Sequence, residues 1–526
     1  IRRAAKIRVP LVGLCRWGRP RVSHRGPRLV GRQCVDMLEA FRKLHKAAGE
    51  LDTYDLKTIA KRFAGFEYQD YGDMIDVLMR EGDYGTLLEY CRNDVLALRK
   101  IDEAVGLFDF SEHLRYIVGC KLEDTLRNSK MIEMLLMRCG IKPMPTRQFG
   151  REKESYRGAL VLEPPVGVHE WVATFDAWSL YPWIIIAYEV SPDVDGIFHK
   201  TIRYVIEERE KLRRLRLDGK ADEFTKWKER ALKFLACSWY GYTGFRGARL
   251  YKREIAEFIT GKGREIIMNL KRWFERRGYT VVYGDTDSSH VKGVRNPEEG
   301  KQLEEEVNEW LAKTYTEVEF PPRVKFEMLF RRIMYKRKIG GEEAAKKRYA
   351  GWVVWEDGKP ADRLKIVGLE YKRSDSAEIT RELMVEFFDV VLKENQPMMV
   401  GKLLRRTIRE FDKLPLQKIA IPRGVSRDLD EYKVDSAWIA GIRNAQRLLG
   451  LRFRQDRKPR LLYLRRPVRC LCISEDVEKL PESFEVDYPT MIEKVIVQKF
   501  KPLVESIGLS WDEVVKGQTT LEAWIE

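Results

Sequence analysis

The stretch Tyr279-Thr280-Val281-Val282-Tyr283-Gly284-Asp285-Thr286-Asp287-Ser288-Ser289-His290-Val291 decides how this chain is read. Runs rich in β-branched and aromatic residues flank a short polar turn, which predicts strand, turn, strand over 279–292. The turn carries carboxylates at i and i+2, able to face one side. Hard oxygen ligands of that kind suit Mg²⁺. Asp-rich turns are also ordinary surface turns, so the pair gains meaning from its surroundings.

Upstream, Trp171-Val172-Ala173-Thr174-Phe175-Asp176 reads as a strand ending on an acid. Ala177-Trp178-Ser179-Leu180-Tyr181-Pro182 then enters a bend fixed by proline. Asp176 is thus a third candidate carboxylate. Two Mg²⁺ ions clustered by such groups can activate a 3′-hydroxyl, brace a leaving pyrophosphate and stabilise an in-line displacement. Between these motifs the pattern predicts a helical hairpin, with arms at 203–217 and 221–240 and a turn at Asp218-Gly219-Lys220. Arg209 and Arg213 share a face at i,i+4, and Lys233, Cys237 and Tyr240 share one at i, i+4 and i+7. Cations converging from two helices are what a triphosphate needs. A basic hairpin taken alone is more often a solvated face.

The rest of the chain sets the frame. Its 526 residues predict three or four lobes at roughly 150 residues each. With 44% hydrophobic and 11% aromatic residues it can build cores, which excludes a disordered chain. No apolar run approaches the roughly 18 residues of a membrane helix. The net charge of +16 is uneven. Residues 1–35 hold ten basic and no acidic side chains, and residues 401–470 hold 19 basic against 7 acidic. Concentrated positive charge suits a polyanion, with nucleic acid the default partner; 34% charged residues also fit a thermophile-like surface. Eight scattered cysteines without a CxxC pair, and six dispersed histidines, argue against a zinc site and suit buried thiols in a reducing cytosol. Residues 36–105 and 375–450 read as helical, and 140–170 as a Pro- and Gly-punctuated boundary.

These residues resemble family B DNA polymerases. Asp176 to Pro182 is similar to motif A, DxxSLYP. Lys233-Phe234-Leu235-Ala236-Cys237-Ser238-Trp239-Tyr240-Gly241 is similar to motif B, KxxxNSxYG, and Tyr283 to Ser288 is an intact motif C, YGDTDS. The order is correct. Tyr156-Arg157-Gly158-Ala159 resembles the YxGG/A loop, Lys347-Arg348-Tyr349 the KxY element, and Arg427-Asp428-Leu429 with Tyr432-Lys433 a thumb motif of archaeal members. Gln518-Thr519-Thr520-Leu521-Glu522-Ala523-Trp524-Ile525 looks like a PIP box, which docks on a sliding clamp. The resemblance covers nearly the whole chain.

It implies an α+β multidomain fold of right-hand architecture: a palm with an antiparallel sheet, helical-hairpin fingers, a helical thumb and a partial RNase H-like exonuclease domain. The expected boundaries are 1–110 for the exonuclease remnant, 111–200 for linker and first palm part, 201–245 for fingers, 246–340 for the second palm part, 341–515 for thumb and 516–526 for a clamp-binding tail. The implied activity is template-directed DNA synthesis from dNTPs on a primer–template, with two Mg²⁺ ions (Mn²⁺ a substitute). Asp176 and Asp287 would be the principal metal ligands, supported by Asp285. Ser179, Leu180, Tyr181, Arg209, Arg213, Lys233, Cys237 and Tyr240 would bind the nucleotide, Tyr181 as the steric gate against a ribose 2′-OH. Tyr156, Gly158, Lys347, Tyr349, Arg373 and Arg427 would meet DNA, and Gln518, Leu521, Trp524 and Ile525 a PCNA-like clamp. A nucleoid-associated cytoplasmic place, away from membranes, follows.

The sequence also departs from the pattern. Cys237 stands where motif B usually has Asn, Trp183 follows motif A where a small residue is usual, and Lys228 holds a fingers position often occupied by Arg. Only Tyr90 and Asp94 of the exonuclease motifs are visible, as a YxxxD helix, and residues 1–110 contain no DxE. The expectation is a chain that starts within the exonuclease domain and does not proofread, with the missing half on a separate chain or in a longer natural one. A catalytically silent scaffold that binds DNA and clamp, or a lesion-tolerant accessory polymerase, is the alternative reading; the surviving Asp176, Asp285 and Asp287 favour an active enzyme.

Overall fold

In the computed structural model the chain divides into two units: 1–48 with 56–158 and 179–262, and 49–55 with 159–178 and 263–526. The structure describes residues 21–23, 26–28, 33–45, 51, 54–69, 71, 75–141, 155–338, 340–373, 375–425, 429, 432, 436–451, 453, 458–474 and 477–516. Arg427, Gln518, Leu521, Trp524 and Ile525 lie outside these residues.

Among its described residues the first unit is helical apart from one short strand pair, β1 (Arg21–Ser23) and β2 (Gly26–Arg28). Helices Met37–His45, Leu56–Ala64, Ile75–Glu81 and Tyr84–Val105 match the periodicity of 36–105. Asp83 caps the last of these by accepting from the Thr86 amide at 3.1 Å. Gly106, at φ +66°, ends that helix, and Leu107–Val118 starts at once. A Cβ at Gly106 would lie 2.2 Å from the Trp227 ring, so glycine serves both the turn and the packing.

The expected hairpin is present as helices Ile197–Leu217 and Glu223–Thr243. Phe198, Ile202 and Val205 on one arm, and Leu232, Leu235 and Trp239 on the other, recur at helical spacing and are buried. Each such side chain contributes about 1.5–3 kcal/mol by leaving water. Phe198 and Trp239 meet with ring centroids 5.4 Å apart. The opposite side of the second arm leaves Lys233 and Cys237 exposed and Tyr240 half-buried, as the spacing predicts. Trp183 is buried on helix Leu180–Ala187 and packs edge-on to Tyr188 at 6.0 Å, so a large residue at this position serves the core.

The second unit is built on a six-stranded antiparallel sheet. Its strands are β3 (Gly167–Ala177), β4 (Thr280–Asp285), β5 (Ser288–Lys292), β6 (Val324–Arg337), β7 (Ala344–Glu356) and β8 (Lys359–Val367). They lie in the order β4-β5-β3-β6-β7-β8. Helices cover the central strands β3 and β6: Phe274 on Arg253–Arg276 packs 4.8 Å from Phe175, and Gly300 on Pro297–Thr314 leaves room for Phe326.

The sheet does not stop at residue 340. Gly340, at φ +75°, lies in the connection from β6 to β7, so the expected thumb start at 341 falls inside the sheet. Beyond Val367 come helices Glu378–Phe388, Met399–Arg409 and Ala437–Leu449, as the reading of 375–450 predicts. Among the described residues beyond 367 there is also a second antiparallel sheet, made of β9 (Ile421–Pro422), β10 (Arg460–Arg466), β11 (Cys470–Ile473) and β12 (Glu485–Val486). One apolar core joins Met334 and Ala350 of the large sheet to Leu383, Phe387 and Phe500.

Two further expectations meet the structure here. Buried thiols are found at Cys120, Cys470 and Cys472, but Cys34, Cys91, Cys139 and Cys237 are exposed. Cys237 is exposed because it shares the outer helix face with Lys233. Among the described residues no helix is long and apolar enough to cross a membrane.

Candidate active site

The carboxylates sit at one end of the large sheet. The backbone ladder places Asp285 of β4 opposite Ser288 of β5, Ser288 opposite Asp176 of β3, and Asp176 opposite Lys325 of β6. Residues paired across antiparallel strands project to one face, so Asp285, Asp176 and Lys325 form a row. Asp287 stands in the turn between β4 and β5, and its carbonyl accepts from the Ala177 amide at 2.7 Å. The structure therefore brings the start of motif A beside the turn of motif C.

The turn is held under strain. Thr286, β-branched, adopts φ +63°, a conformation that costs such residues of the order of 1–3 kcal/mol. Four contacts fix it. The Asp287 amide donates to the Asp285 carbonyl at 2.7 Å and the Thr286 amide to the Leu160 carbonyl at 2.9 Å. Thr286 Oγ1 donates to Asp285 Oδ1 at 3.0 Å, and the Leu162 amide donates to the Gly284 carbonyl at 2.9 Å. Burial pushes the Asp287 carboxyl up to about 6, with the charges of Asp285 and Glu327 adding to the rise and Lys347 opposing it. A buried carboxylate among other carboxylates is a group that gains from a cation.

Two residues here carry more than the sequence suggests. Glu327 of β6 is a fourth carboxylate, half-buried and acting on both Asp287 and Tyr349. No motif marks it; strand pairing alone brings it in. Lys347 places Nζ 3.0 Å from Asp285 Oδ1, so its ammonium sits on a site carboxylate. Its backbone is left-handed at φ +62°, its amide donates to Tyr283 Oη at 3.2 Å, and a Cβ at Gly368 would lie 2.0 Å from its carbonyl oxygen. Among the described residues no three His, Cys, Asp or Glu side chains gather as a ready metal cage. Mg²⁺ is ordinarily held by one or two carboxylates plus substrate phosphates and water, and Asp176 with the desolvated Asp287 fits that donor set.

Beneath the turn lies an aromatic cluster of Tyr283, His290, Tyr335 and Tyr349, with ring centroids 5.1–6.1 Å apart. His290 Nδ1 is 2.7 Å from Tyr335 Oη. Complete burial, with a smaller effect of Lys365, lowers the His290 pKa to about 3. Between pH 3 and the ordinary value of 6.5 the unfolded chain binds a proton here that the folded chain does not, so stability rises with pH across that window. Folding stability is therefore expected to fall by up to about 4 kcal/mol from pH 6.5 to 3 on account of this residue. Urea unfolding of the parent and of His290→Gln at several pH values checks it: the variant should show a shallower acid slope.

The nucleotide-binding candidates belong to the first unit. Ser179 is left-handed at φ +49°, and its Oγ accepts from Arg209 Nη1 at 3.3 Å. Arg209 also pairs with Glu229 at 3.6 Å, and Arg216 with the same carboxylate at 3.1 Å. Arg213 pairs with Glu210 at 3.6 Å, and Lys228 with Glu208 at 3.8 Å. The hairpin is thus a set of cations pre-ordered by its own acids, with buried Glu229 tying the two arms. Tyr181 and Tyr240 lie with ring centroids 4.5 Å apart, and the Tyr240 hydroxyl is 2.8 Å from that of Tyr156. Tyr156 is therefore joined to the motif A and motif B tyrosines, while Gly158 is exposed with open space where a Cβ would stand.

Other candidates have local partners. Arg373 makes two hydrogen bonds of 2.9 Å to Asp375, which Arg423 also meets at 3.2 Å. Tyr90 is buried on helix Tyr84–Val105, and Asp94 accepts from the Tyr68 hydroxyl at 2.6 Å.

Comparison with known proteins places the chain in a family. The family model "DNA polymerase family B" matches residues 122–194 and 193–449. The chain is 28% identical over 463 residues to a DNA polymerase of Archaeoglobus fulgidus, covering 80% of this chain and 54% of that protein. It is 27% identical over 467 residues to the DNA polymerase delta catalytic subunit of Arabidopsis thaliana, covering 78% of this chain and 41% of that one. The chain thus spans about half the length of the curated relatives it matches. Its fold is similar to that of the family B DNA polymerase from Pyrobaculum calidifontis, with a TM-score of 0.65 at 24% identity over 96% of this chain and 67% of the other. With its family model matched over more than half its residues, the chain belongs to DNA polymerase family B.

Proposed function

We propose that this chain performs template-directed DNA synthesis, joining a primer 3′-hydroxyl to the α-phosphate of a dNTP with release of pyrophosphate. The observation that carries the reading is the strained Tyr283-to-Ser288 turn, which holds a desolvated Asp287 against the strand that ends on Asp176. Asp176 and Asp287 would hold divalent ions, with Asp285 and Glu327 adding negative charge around them. Bound Mg²⁺ supplies a lowered pKa at the attacking hydroxyl and charge for the phosphates. Arg209, Arg213 and Lys233 bind the triphosphate. For the two arginines this means exchanging Glu229 and Glu210 for phosphate oxygens; Lys233 has no ion-pair partner among the described residues and is free to act at once. Lys347 holds Asp285 until primer–template arrives, then turns to the DNA backbone. The C-terminal pattern Gln518, Leu521, Trp524 and Ile525 adds docking on a sliding clamp.

Tyr181 excludes ribose, positioned by its contact with Tyr240 and, through that ring, by Tyr156. Replacing it removes bulk under the sugar. Tyr181→Ala is therefore expected to raise ribonucleotide use relative to dNTPs by roughly 10–100-fold, the scale of one steric contact. Single-nucleotide incorporation with matched rNTP and dNTP measures the ratio. The reading as a whole is tested by primer extension with each dNTP in turn: addition should follow the template base. DNA binding without addition would favour the silent scaffold.

A further inference from the structure

The row of side chains at the end of the large sheet sets one cation beside its acids. Lys325 of β6 is the strand partner of Asp176 on β3. Side chains directly opposed on antiparallel strands have Cβ atoms about 4.5–5.5 Å apart and share a face. The other face is fixed by the neighbouring pair, Phe175 and Phe326, which are buried with ring centroids 5.7 Å apart. Lys325 and Asp176 are half-buried on the open face. The flexible four-carbon stem of a lysine spans that separation by rotating about its own bonds, with neither strand moving. Yet among the described residues the Lys325 ammonium pairs with Asp357 and not with Asp176.

Asp357 is placed for this by its turn. Asp357-Gly358 joins β7 to β8, with Glu356 paired to Lys359. Both turn residues are left-handed, at φ +48° and +86°, as a two-residue type I′ hairpin requires, and Asp-Gly is a preferred pair there. The Asp357 amide donates to the Glu327 carbonyl at 2.9 Å, which fixes the turn against β6 just past Lys325. Glu304, another carboxylate that feels the Lys325 charge, is engaged with the Phe326 amide at 2.8 Å. Lys347 behaves differently, since its ammonium sits on a site carboxylate, Asp285. A partly exposed ion pair such as Lys325–Asp357 adds little to folding. Its consequence lies in where it keeps the charge. We infer that Asp357 is a positioning residue of the metal centre: it retains the Lys325 ammonium, which otherwise competes with a divalent ion for Asp176. The inference rests on the proposed role of Asp176 as a metal ligand.

The test is a Mn²⁺ titration, read by electron paramagnetic resonance, on the full chain bound to primer–template and a non-reacting dNTP analogue. Asp357→Asn removes the charge that retains Lys325 and keeps the turn, because Asn-Gly also suits type I′. The side chains of Lys325 and Asp357 are 35% and 65% exposed, so the variants should fold. Asp357→Asn should weaken the Mn²⁺ site that depends on Asp176 by roughly three- to tenfold, the scale of one ion pair gained by Lys325. In a Lys325→Met background the same substitution should change affinity by less than about twofold, because no ammonium is left to release. Equal weakening in both backgrounds would show Asp357 acting through its own charge and overturn the proposal. So would no weakening in either. The two readings fail differently. Mn²⁺ binding that Asp176→Asn leaves intact would overturn the metal role of Asp176 and this inference with it. Binding that needs Asp176 but ignores Asp357→Asn would overturn this inference alone.

Discussion

Asp287→Asn should lower the rate of nucleotide addition by about a thousandfold or more, while primer–template affinity stays within about threefold. The side chains are nearly isosteric, and the turn that carries residue 287 is fixed by backbone hydrogen bonds, so geometry is retained. What disappears is the anionic charge that a divalent ion needs. Stability should move the other way. In the folded chain burial raises the Asp287 pKa to about 6, with Asp285 and Glu327 contributing, against an ordinary value of 3.8. The folded state therefore binds the proton more tightly, and the stability this gives is present below pH 3.8 and lost as pH rises through 6. A neutral Asn avoids that loss. At pH 7 the variant should be more stable by about 1–2 kcal/mol after allowance for solvent screening, and the difference should vanish near pH 4. Rapid-quench addition kinetics and denaturant unfolding at both pH values read the two halves; undiminished addition would remove Asp287 from the reaction.

Lys336→Met should destabilise the chain by about 3–5 kcal/mol. Lys336 is 1% exposed in its side chain and Glu370 6%. The ammonium donates to both carboxylate oxygens at 2.9 Å. The pair ties the C-terminal end of β6 to the short helical turn Glu370–Lys372 that follows β8, linking the two outer strands of the β6-β7-β8 meander. Removing the lysine leaves a buried carboxylate without its counter-charge, which is far costlier than exchanging the whole pair for apolar residues. The double variant Lys336→Met with Glu370→Leu should therefore recover most of the stability. A double-mutant cycle by urea unfolding measures the coupling; equal destabilisation in the single and double variants would show that packing, not charge, is responsible.

The sequence carried the local features of the site and missed the non-local ones. The strand–turn–strand of motif C, the strand ending on Asp176 and the amphipathic hairpin are set by short-range periodicity and turn chemistry, so they were legible. Glu327 was not, because it reaches Asp287 through the pairing of β6 with β3, across a sequence separation no motif spans. Glu229 was hidden among basic residues, where only the packing of two arms reveals it as the partner of Arg209 and Arg216. Lys347 carried an expected DNA contact, and its bond to Asp285 depends on a left-handed backbone that propensity does not favour in lysine. The small sheet over 421–486 is only partly legible, because β9 and β12 are two residues long and β9 reaches β10 by pairing across nearly forty positions. Gly340 is a turn signal of the ordinary kind; it marks a hairpin inside one sheet, and sequence alone does not tell that from an edge between lobes.

The most direct measurement counts metal ions where the chemistry is placed. Electron paramagnetic resonance can titrate Mn²⁺ into the chain bound to primer–template and a non-reacting dNTP analogue. Two bound ions per complex are expected, with loss of one or both in Asp176→Asn and in Asp287→Asn. Full Mn²⁺ occupancy in both aspartate variants, or none in the parent while DNA is bound, would contradict a metal-dependent centre at these two carboxylates.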